Sequence, residues 1–209
     1  MEDAQKEFLK LAVEVEALLF GNFTLKSGKE SLYFFNISAF LESGHLSDLA
    51  DLYSQNIIKS EIDYDVIFGP AYKGIPLAAA VTTKLSQQLS RPISLCFDRK
   101  EEKEHGEGGG LVGSVKNKKV LIIDDVLTAG TALKNSINLV KKAGGVVTAA
   151  IVALDRQETE RGEQVSIMLA EQLKLPIYSI SNVENLISFL ESSDKNEELA
   201  KRLKSSLQK

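Results

Sequence analysis

Apolar positions along this chain keep two rhythms, and the switch between them marks out its elements. Phe8, Leu11, Val15, Leu18 and Leu19 recur at helical spacing, which predicts an amphipathic helix over residues 2–19. Phe23 to Phe40 breaks that spacing with Ser27-Gly28 and the run Tyr33-Phe34-Phe35, and predicts short strands and loops. A second helix is predicted from Ser47 to Ser60. Then short apolar runs begin to alternate with helical stretches. The runs are Val66–Phe68, Ile93–Phe97, Val120–Ile123, Val146–Leu154 and Ile177–Ile180. Helices are predicted over Ile75–Gln88, Thr131–Lys142, Arg161–Leu173 and Asn182–Glu191, with Gly144-Gly145 stopping the second of these. A polar helix is predicted from Asp194 to Lys209.

Continuous apolar runs that alternate with helices predict an α/β fold: a mainly parallel five-stranded sheet with helices on both faces. The chain has 209 residues, enough for one domain with a full core. We expect a single domain over 1–209, with a core over roughly residues 60 to 180 and a small cap made of about residues 1–60 and part of the C-terminal segment.

Composition changes this picture only by exclusion. Hydrophobic residues are 44% and charged residues 26%, as in ordinary globular chains. The net charge of -4 offers no global attraction for nucleic acid, and no apolar run is long enough to span a bilayer. The single cysteine, Cys96, sits inside an apolar run and predicts a core residue; no internal disulfide is possible. Without a basic, apolar leader, a cytoplasmic location is expected. His45 has no second His or Cys at ligand spacing.

The strongest chemical signal follows the third apolar run. Asp124-Asp125-Val126-Leu127-Thr128-Ala129-Gly130-Thr131-Ala132 places two acids, then small residues, between a strand and a helix. Amides of such a loop form an anion nest at a helix N-terminus, and Thr128 and Thr131 add hydroxyls. Two carboxylates oppose a phosphate but suit vicinal hydroxyls. Phosphate at one end and a diol at the other describe a ribose 5-phosphate. A pair of acids that merely capped the helix would need neither the second acid nor the Thr-Ala-Gly-Thr loop. Gly108–Gly113 also fits G-x-G-x-x-G, but no strand precedes it and no helix pattern follows, so a dinucleotide site is rejected.

This loop resembles the phosphoribosyl-diphosphate motif of the type I phosphoribosyltransferases. Three further segments narrow the resemblance. They are Phe23 to Asn36, Phe68-Gly69-Pro70-Ala71-Tyr72-Lys73-Gly74-Ile75-Pro76, and Arg99-Lys100-Glu101-Glu102-Lys103-Glu104-His105-Gly106-Glu107-Gly108-Gly109. With Asp155-Arg156-Gln157, the whole set is similar to the bacterial orotate phosphoribosyltransferases. The resemblance implies the type I phosphoribosyltransferase fold with its N-terminal hood. It also implies a reaction: orotate and phosphoribosyl diphosphate give orotidine 5'-phosphate and diphosphate, in pyrimidine biosynthesis toward UMP. Mg²⁺ held mainly through the substrate, with no dedicated protein metal site, and a homodimer with shared active sites are implied as well.

The residue roles that follow are expectations. Lys73, Lys103, His105 and Asp125 are expected in catalysis. Phosphoribosyl diphosphate is expected to meet Lys26, Tyr72, Lys73, Arg99, Lys100, Lys103, His105 and the loop Asp124, Asp125, Val126, Leu127, Thr128, Ala129, Gly130, Thr131 and Ala132. Orotate is expected to meet Phe34, Phe35, Thr128 and Arg156. Residue chemistry gives each an alternative. Interleaved glutamates allow the Arg99–His105 segment to be a solvated charged loop. Phe34 and Phe35, as strand neighbours, face opposite ways, so one should pack inward. Arg156 follows the fourth run and can pair with a carboxylate ligand or with Asp155 or Glu158. Two other functions compete: a purine or uracil phosphoribosyltransferase, which has no need of Arg156, and a sensor that keeps the phosphate loop and loses the cations Arg99, Lys100, Lys103 and His105.

Overall fold

The computed structural model describes residues 1–25, 28–99, 110–192 and 196–207. Helix α1, Asp3–Glu14, starts at a reciprocal cap in which the Glu2 amide donates to Gln5 Oε1 (2.9 Å). It stops short of the predicted end. Glu16 takes a positive φ, and Leu18 and Leu19 open strand β1, Leu18–Thr24, instead. Leu18 is buried and Leu19 exposed, the alternation of a strand and not of a helix face. Strand β2, Glu30–Phe35, pairs antiparallel with β1, so that Leu18 faces Phe35 across the hairpin. A short helix α2, Ser38–Glu42, follows, then α3, Leu46–Lys59.

The five predicted apolar runs are the five parallel strands: β3 (Val66–Gly69), β4 (Ser94–Asp98), β6 (Lys119–Leu127), β7 (Val146–Asp155) and β10 (Ile177–Asn182). They lie in the order β10-β7-β6-β3-β4. The sheet gains a sixth, edge strand that the sequence reading did not include: β5, Leu111–Val112, antiparallel to β4. Two residues are too few for an apolar period to register. Helices α4 (Gly74–Gln88), α5 (Thr131–Lys142), α6 (Val165–Leu173) and α7 (Val183–Glu191) connect or follow these strands, and α8 spans Glu197–Leu207.

Local chemistry explains most boundaries. Gly130, with φ 72°, caps α5 at its start, and Lys141 and Lys142 complement the helix dipole at its end. Asn182 caps α7 by accepting from the Asn185 amide (2.8 Å). The helix predicted from Arg161 begins only at Val165. Arg161 and Gly162 both have positive φ and form the turn of a small hairpin, β8 (Thr159–Glu160) with β9 (Glu163–Gln164). Between Gly113 and β6 no helix occurs.

Each face of the sheet has its own core. Phe8, Phe40, Tyr53, Leu77, Leu121, Ile151 and Leu186 belong to one cluster, which joins α1, the hairpin and α8 to the sheet. Phe68, Cys96, Ile122, Ile137 and Leu169 belong to the other, under α5 and α6. Cys96 is fully buried, as its apolar context predicts, and burial pushes its thiol up to about 11. No helix among the described residues is long and apolar enough to cross a membrane.

Candidate active site

In chain order the parallel strands run β3, β4, β6, β7, β10, but in space β3 lies between β4 and β6. The winding direction therefore reverses between β3 and β6, and a crevice opens at the carboxyl ends of the two strands. Asp124 and Asp125 stand at that end of β6, and Lys73 lies just past β3. The Lys73 ammonium is 3.6 Å from Asp125 Oδ2 and donates to Asn36 Oδ1 (3.2 Å).

The loop after β3 is held tightly. A Cβ on Gly69 would lie 2.2 Å from the Gly74 carbonyl oxygen, and one on Gly74 would lie 2.6 Å from Pro70. Only glycine permits this approach at the two positions. The Ala71–Tyr72 peptide is cis, and the Ala71 amide donates to Asp98 Oδ1 (2.5 Å). Tyr72 is largely exposed. Asp98 was not among the expected site residues. An acid at the carboxyl end of β4, next to Arg99, was the available signal.

Each acid folds back on the chain. The Asp125 amide donates to Asp124 Oδ1, and the Val126 amide to Asp125 Oδ1, both at 2.9 Å. The Tyr53 hydroxyl, from α3, donates to the Asp124 carbonyl (2.7 Å). Burial, then the neighbouring charge of Asp125, raises the Asp124 carboxyl to about 7, while the nearby Lys73 opposes the shift. The loop itself borders a cavity of about 250 Å³ lined by Asp124, Val126, Leu127, Thr128, Ala129, Gly130, Thr131 and Ala132. A Cβ on Gly130 would lie 2.1 Å from Leu169 Cδ1, so close approach is required here too.

Arg156 follows β7, and its amide donates to the Leu127 carbonyl (3.1 Å). The end of β6 and Arg156 are thus joined at the backbone. The side chain is 9% exposed. Its Nη2 donates to Ser31 Oγ (3.0 Å), and its guanidinium carbon lies 4.4 Å from the centre of the Tyr33 ring. Nε is 3.4 Å from Glu158 Oε1, an ion-pair distance without hydrogen-bond alignment, so the buried Nε–H has no hydrogen-bond partner among the described residues. Glu158 also accepts from Lys29 (2.9 Å). Of the two salt-bridge partners weighed for Arg156, Glu158 is the one present. A cavity of about 540 Å³ lies on the hairpin side of Arg156, between β2 and α8.

The aromatic pair divides as strand alternation requires. Phe35 is buried against Phe8 (6.0 Å between ring centres), so its ring belongs to the core. Phe34 is 40% exposed and packs on Phe23 (5.6 Å). Arg99 sits at the edge of the crevice beyond Asp98, where its amide donates to the Gly110 carbonyl (2.7 Å). Lys26, Lys100, Lys103 and His105 lie outside the described residues. His45 pairs with Asp48 on the surface (2.7 Å). Among the described residues, no group of three or more His, Cys, Asp or Glu is placed to hold a metal ion.

The arrangement is a loop of small and hydroxyl residues at the start of α5 beside an acid pair, a lysine across the crevice, and a buried arginine. Known proteins resemble the chain over nearly its whole length. The phosphoribosyl transferase domain family matches residues 37–177. An orotate phosphoribosyltransferase of Kluyveromyces lactis is 48% identical, with 96% of this chain and 93% of that protein covered. One from Cellvibrio japonicus is 44% identical over 98% of this chain and 96% of its own length. The crystal structure of orotate phosphoribosyltransferase from Francisella tularensis superposes with a TM-score of 0.86 at 37% identity, covering 100% of this chain and 97% of that one.

Proposed function

Because the chain belongs to the phosphoribosyl transferase family, among the orotate phosphoribosyltransferases, we infer that it transfers the 5-phosphoribosyl group of phosphoribosyl diphosphate to orotate. The products are orotidine 5'-phosphate and diphosphate, on the route to UMP. The observation that carries the acceptor assignment is Arg156, a buried guanidinium bonded through its backbone to the phosphate loop.

The residue roles form one scheme. Amides and hydroxyls from Leu127 to Thr131 hold the 5'-phosphate, with Val126 and Ala132 at the ends of the nest. Asp124 and Asp125 accept the ribose hydroxyls and favour positive charge on the ring. Lys73, with Tyr72 and Arg99 beside it, faces the leaving diphosphate. Lys26, Lys100, Lys103 and His105 add to this on chemical grounds. Arg156 pairs with the orotate carboxylate, with Thr128 and the backbone near Phe34 and Phe35 along the base. Orotate N1 then bonds to the anomeric carbon as the carbon–oxygen bond to diphosphate breaks. The ring carries positive charge in the transition state, so catalysis is electrostatic and positional.

The acid pair offers hard oxygen donors that suit Mg²⁺, but only two side chains. An ion would therefore be held mainly by diphosphate and ribose oxygens, and would offset the charge of the leaving group. The protein acts as a homodimer in the cytoplasm, in which each site takes Lys103 and His105 from the other chain. Residues from about 1–60 and part of the C-terminal segment serve as the cap over the core.

A spectrophotometric assay tests the reading. Protein with phosphoribosyl diphosphate and Mg²⁺ should consume orotate absorbance and should spare uracil, adenine and hypoxanthine. Turnover of a purine or uracil in place of orotate would overturn the acceptor, and turnover of none would overturn the enzyme.

A further inference from the structure

The arginine that the acceptor assignment rests on is not a free side chain at a strand end. Three residues from two segments close on it. The Tyr33 ring lies under the guanidinium, Ser31 accepts from Nη2, and Glu158 faces Nε. Ser31 and Tyr33 alternate on one face of β2 in the N-terminal hairpin, and Glu158 stands two residues beyond Arg156 itself. Ser31 is fixed in turn, since its hydroxyl donates to the Tyr33 carbonyl (2.7 Å). Glu158 is fixed by Lys29 from the hairpin. Tyr33 is buried, and burial holds its phenol protonated, well above its ordinary range.

This socket decides how the guanidinium can be used. One face is covered by the ring, one Nη2 hydrogen is spent on Ser31, and the Nε edge is turned to a carboxylate. A guanidinium has five N–H donors, so Nη1 and the second hydrogen of Nη2 remain for a ligand. Nη1 and Nη2 then offer their shared end to one carboxylate. A free arginine could offer its fork from many directions. A socketed one offers it from a single direction, and preorganisation of that kind favours the ligand whose carboxylate already points there.

We propose that Tyr33, with Ser31 and Glu158 at its edges, is a positioning residue that aims Arg156 at the acceptor carboxylate and so sets acceptor choice. The inference rests on the reading of Arg156 as the carboxylate partner. It makes the hairpin part of the specificity machinery, with Tyr33 acting through the arginine.

The test is a double-mutant cycle between Tyr33 and Arg156, read as separate KM values for orotate and for phosphoribosyl diphosphate. Tyr33→Leu should raise orotate KM about tenfold, the loss of a desolvated cation–π contact, and leave the donor KM within about twofold. Preference for orotate over uracil, which lacks the carboxylate, should fall by the same factor. Tyr33→Phe keeps the ring face and should restore all three values. In an Arg156→Ala background Tyr33→Leu should add nothing, because its effect runs through the arginine. If Tyr33→Leu does not fold by circular dichroism, Ser31→Ala and Glu158→Gln carry the same cycle, each with about a threefold rise in orotate KM. A folded Tyr33→Leu with unchanged orotate KM, or a rise that persists without Arg156, overturns the proposal. An unchanged orotate KM in Arg156→Ala alone would instead overturn the acceptor reading beneath it.

Discussion

Lys73, the residue before α4, and Asp125, on β6, meet across the reversal of the sheet, with Nζ 3.6 Å from Oδ2. The lysine side chain is half exposed, so solvent screens the pair and its worth to stability is small. Its position at the crevice matters more. Lys73→Ala is expected to leave the melting temperature nearly unchanged and to lower kcat/KM by about a hundredfold, the scale of one lost electrostatic contact to a developing charge. A thermal melt beside steady-state kinetics checks both halves. A large loss of stability with normal turnover would assign Lys73 to the fold.

The acid pair predicts a pH dependence. Burial raises the Asp124 carboxyl to about 7, against an unfolded value near 4. The folded state therefore binds the extra proton between those values, and stability is full below about pH 4 and falls as pH rises toward 7. Asp124→Asn keeps an oxygen for the Asp125 amide and removes the buried charge. It should raise the melting temperature by roughly 3 °C or more at pH 8 and by much less at pH 4. Equal effects at both pH values would mean that the carboxyl titrates normally. Activity should move the other way, since a neutral amide is a poorer acceptor for ribose hydroxyls.

Gly130 combines a left-handed backbone with a position where a Cβ would lie 2.1 Å from Leu169 Cδ1. Gly130→Ala must strain the backbone, at about 1–2 kcal/mol, and displace a buried leucine that packs on the nest. Calorimetric titration should show weaker binding of phosphoribosyl diphosphate, by about tenfold, on the assumption that these costs fall on the bound loop. The melting temperature should fall as well. Undisturbed donor affinity would remove the nest from the binding scheme.

Subunit complementation tests the shared site. Lys103→Ala and Asp125→Asn homodimers should each be inactive. Refolded together, about half of the dimers should be hybrids, and each hybrid has one site with both lesions and one with neither, so about a quarter of full activity should return. Sites confined to single chains would return none, with hybrids counted by native mass spectrometry.

Much of this was legible in the sequence. The five parallel strands announced themselves because strands buried on both faces are continuous apolar runs bounded by turns. The loop from Asp124 to Thr131 was legible as a candidate site because its chemistry is local: acids, hydroxyls and Gly130 are neighbours in the chain. Two failures have the same physical origin. Leu18 and Leu19 continue the spacing of α1, and Arg161 precedes an apolar helical stretch, but a positive φ at Glu16 and at Arg161-Gly162 ends each pattern. Apolar period alone does not report backbone sign. The Arg156 socket was out of reach for a different reason. Ser31 lies 125 residues from Arg156, and no local pattern records a contact made by a hairpin folding onto a distant strand.

The placement of β6 between β3 and β7 governs more than where substrates sit. Asn36, Lys73 and Asp125 come from distant stretches of chain, and they meet only because β6 lies between strands that precede and follow it in the sequence. Such non-local pairing forms slowly, and no fragment of the chain holds the assembled crevice. Donor affinity is thereby tied to the folding of the entire sheet. Phosphoribosyl diphosphate at about a hundred times its Kd would add about 2.7 kcal/mol to the native state wherever a lesion lies. Substrate in the refolding buffer should therefore rescue the yield of variants weakened at the far, amino end of the strands, around Val66 or Val120, as well as those beside the crevice.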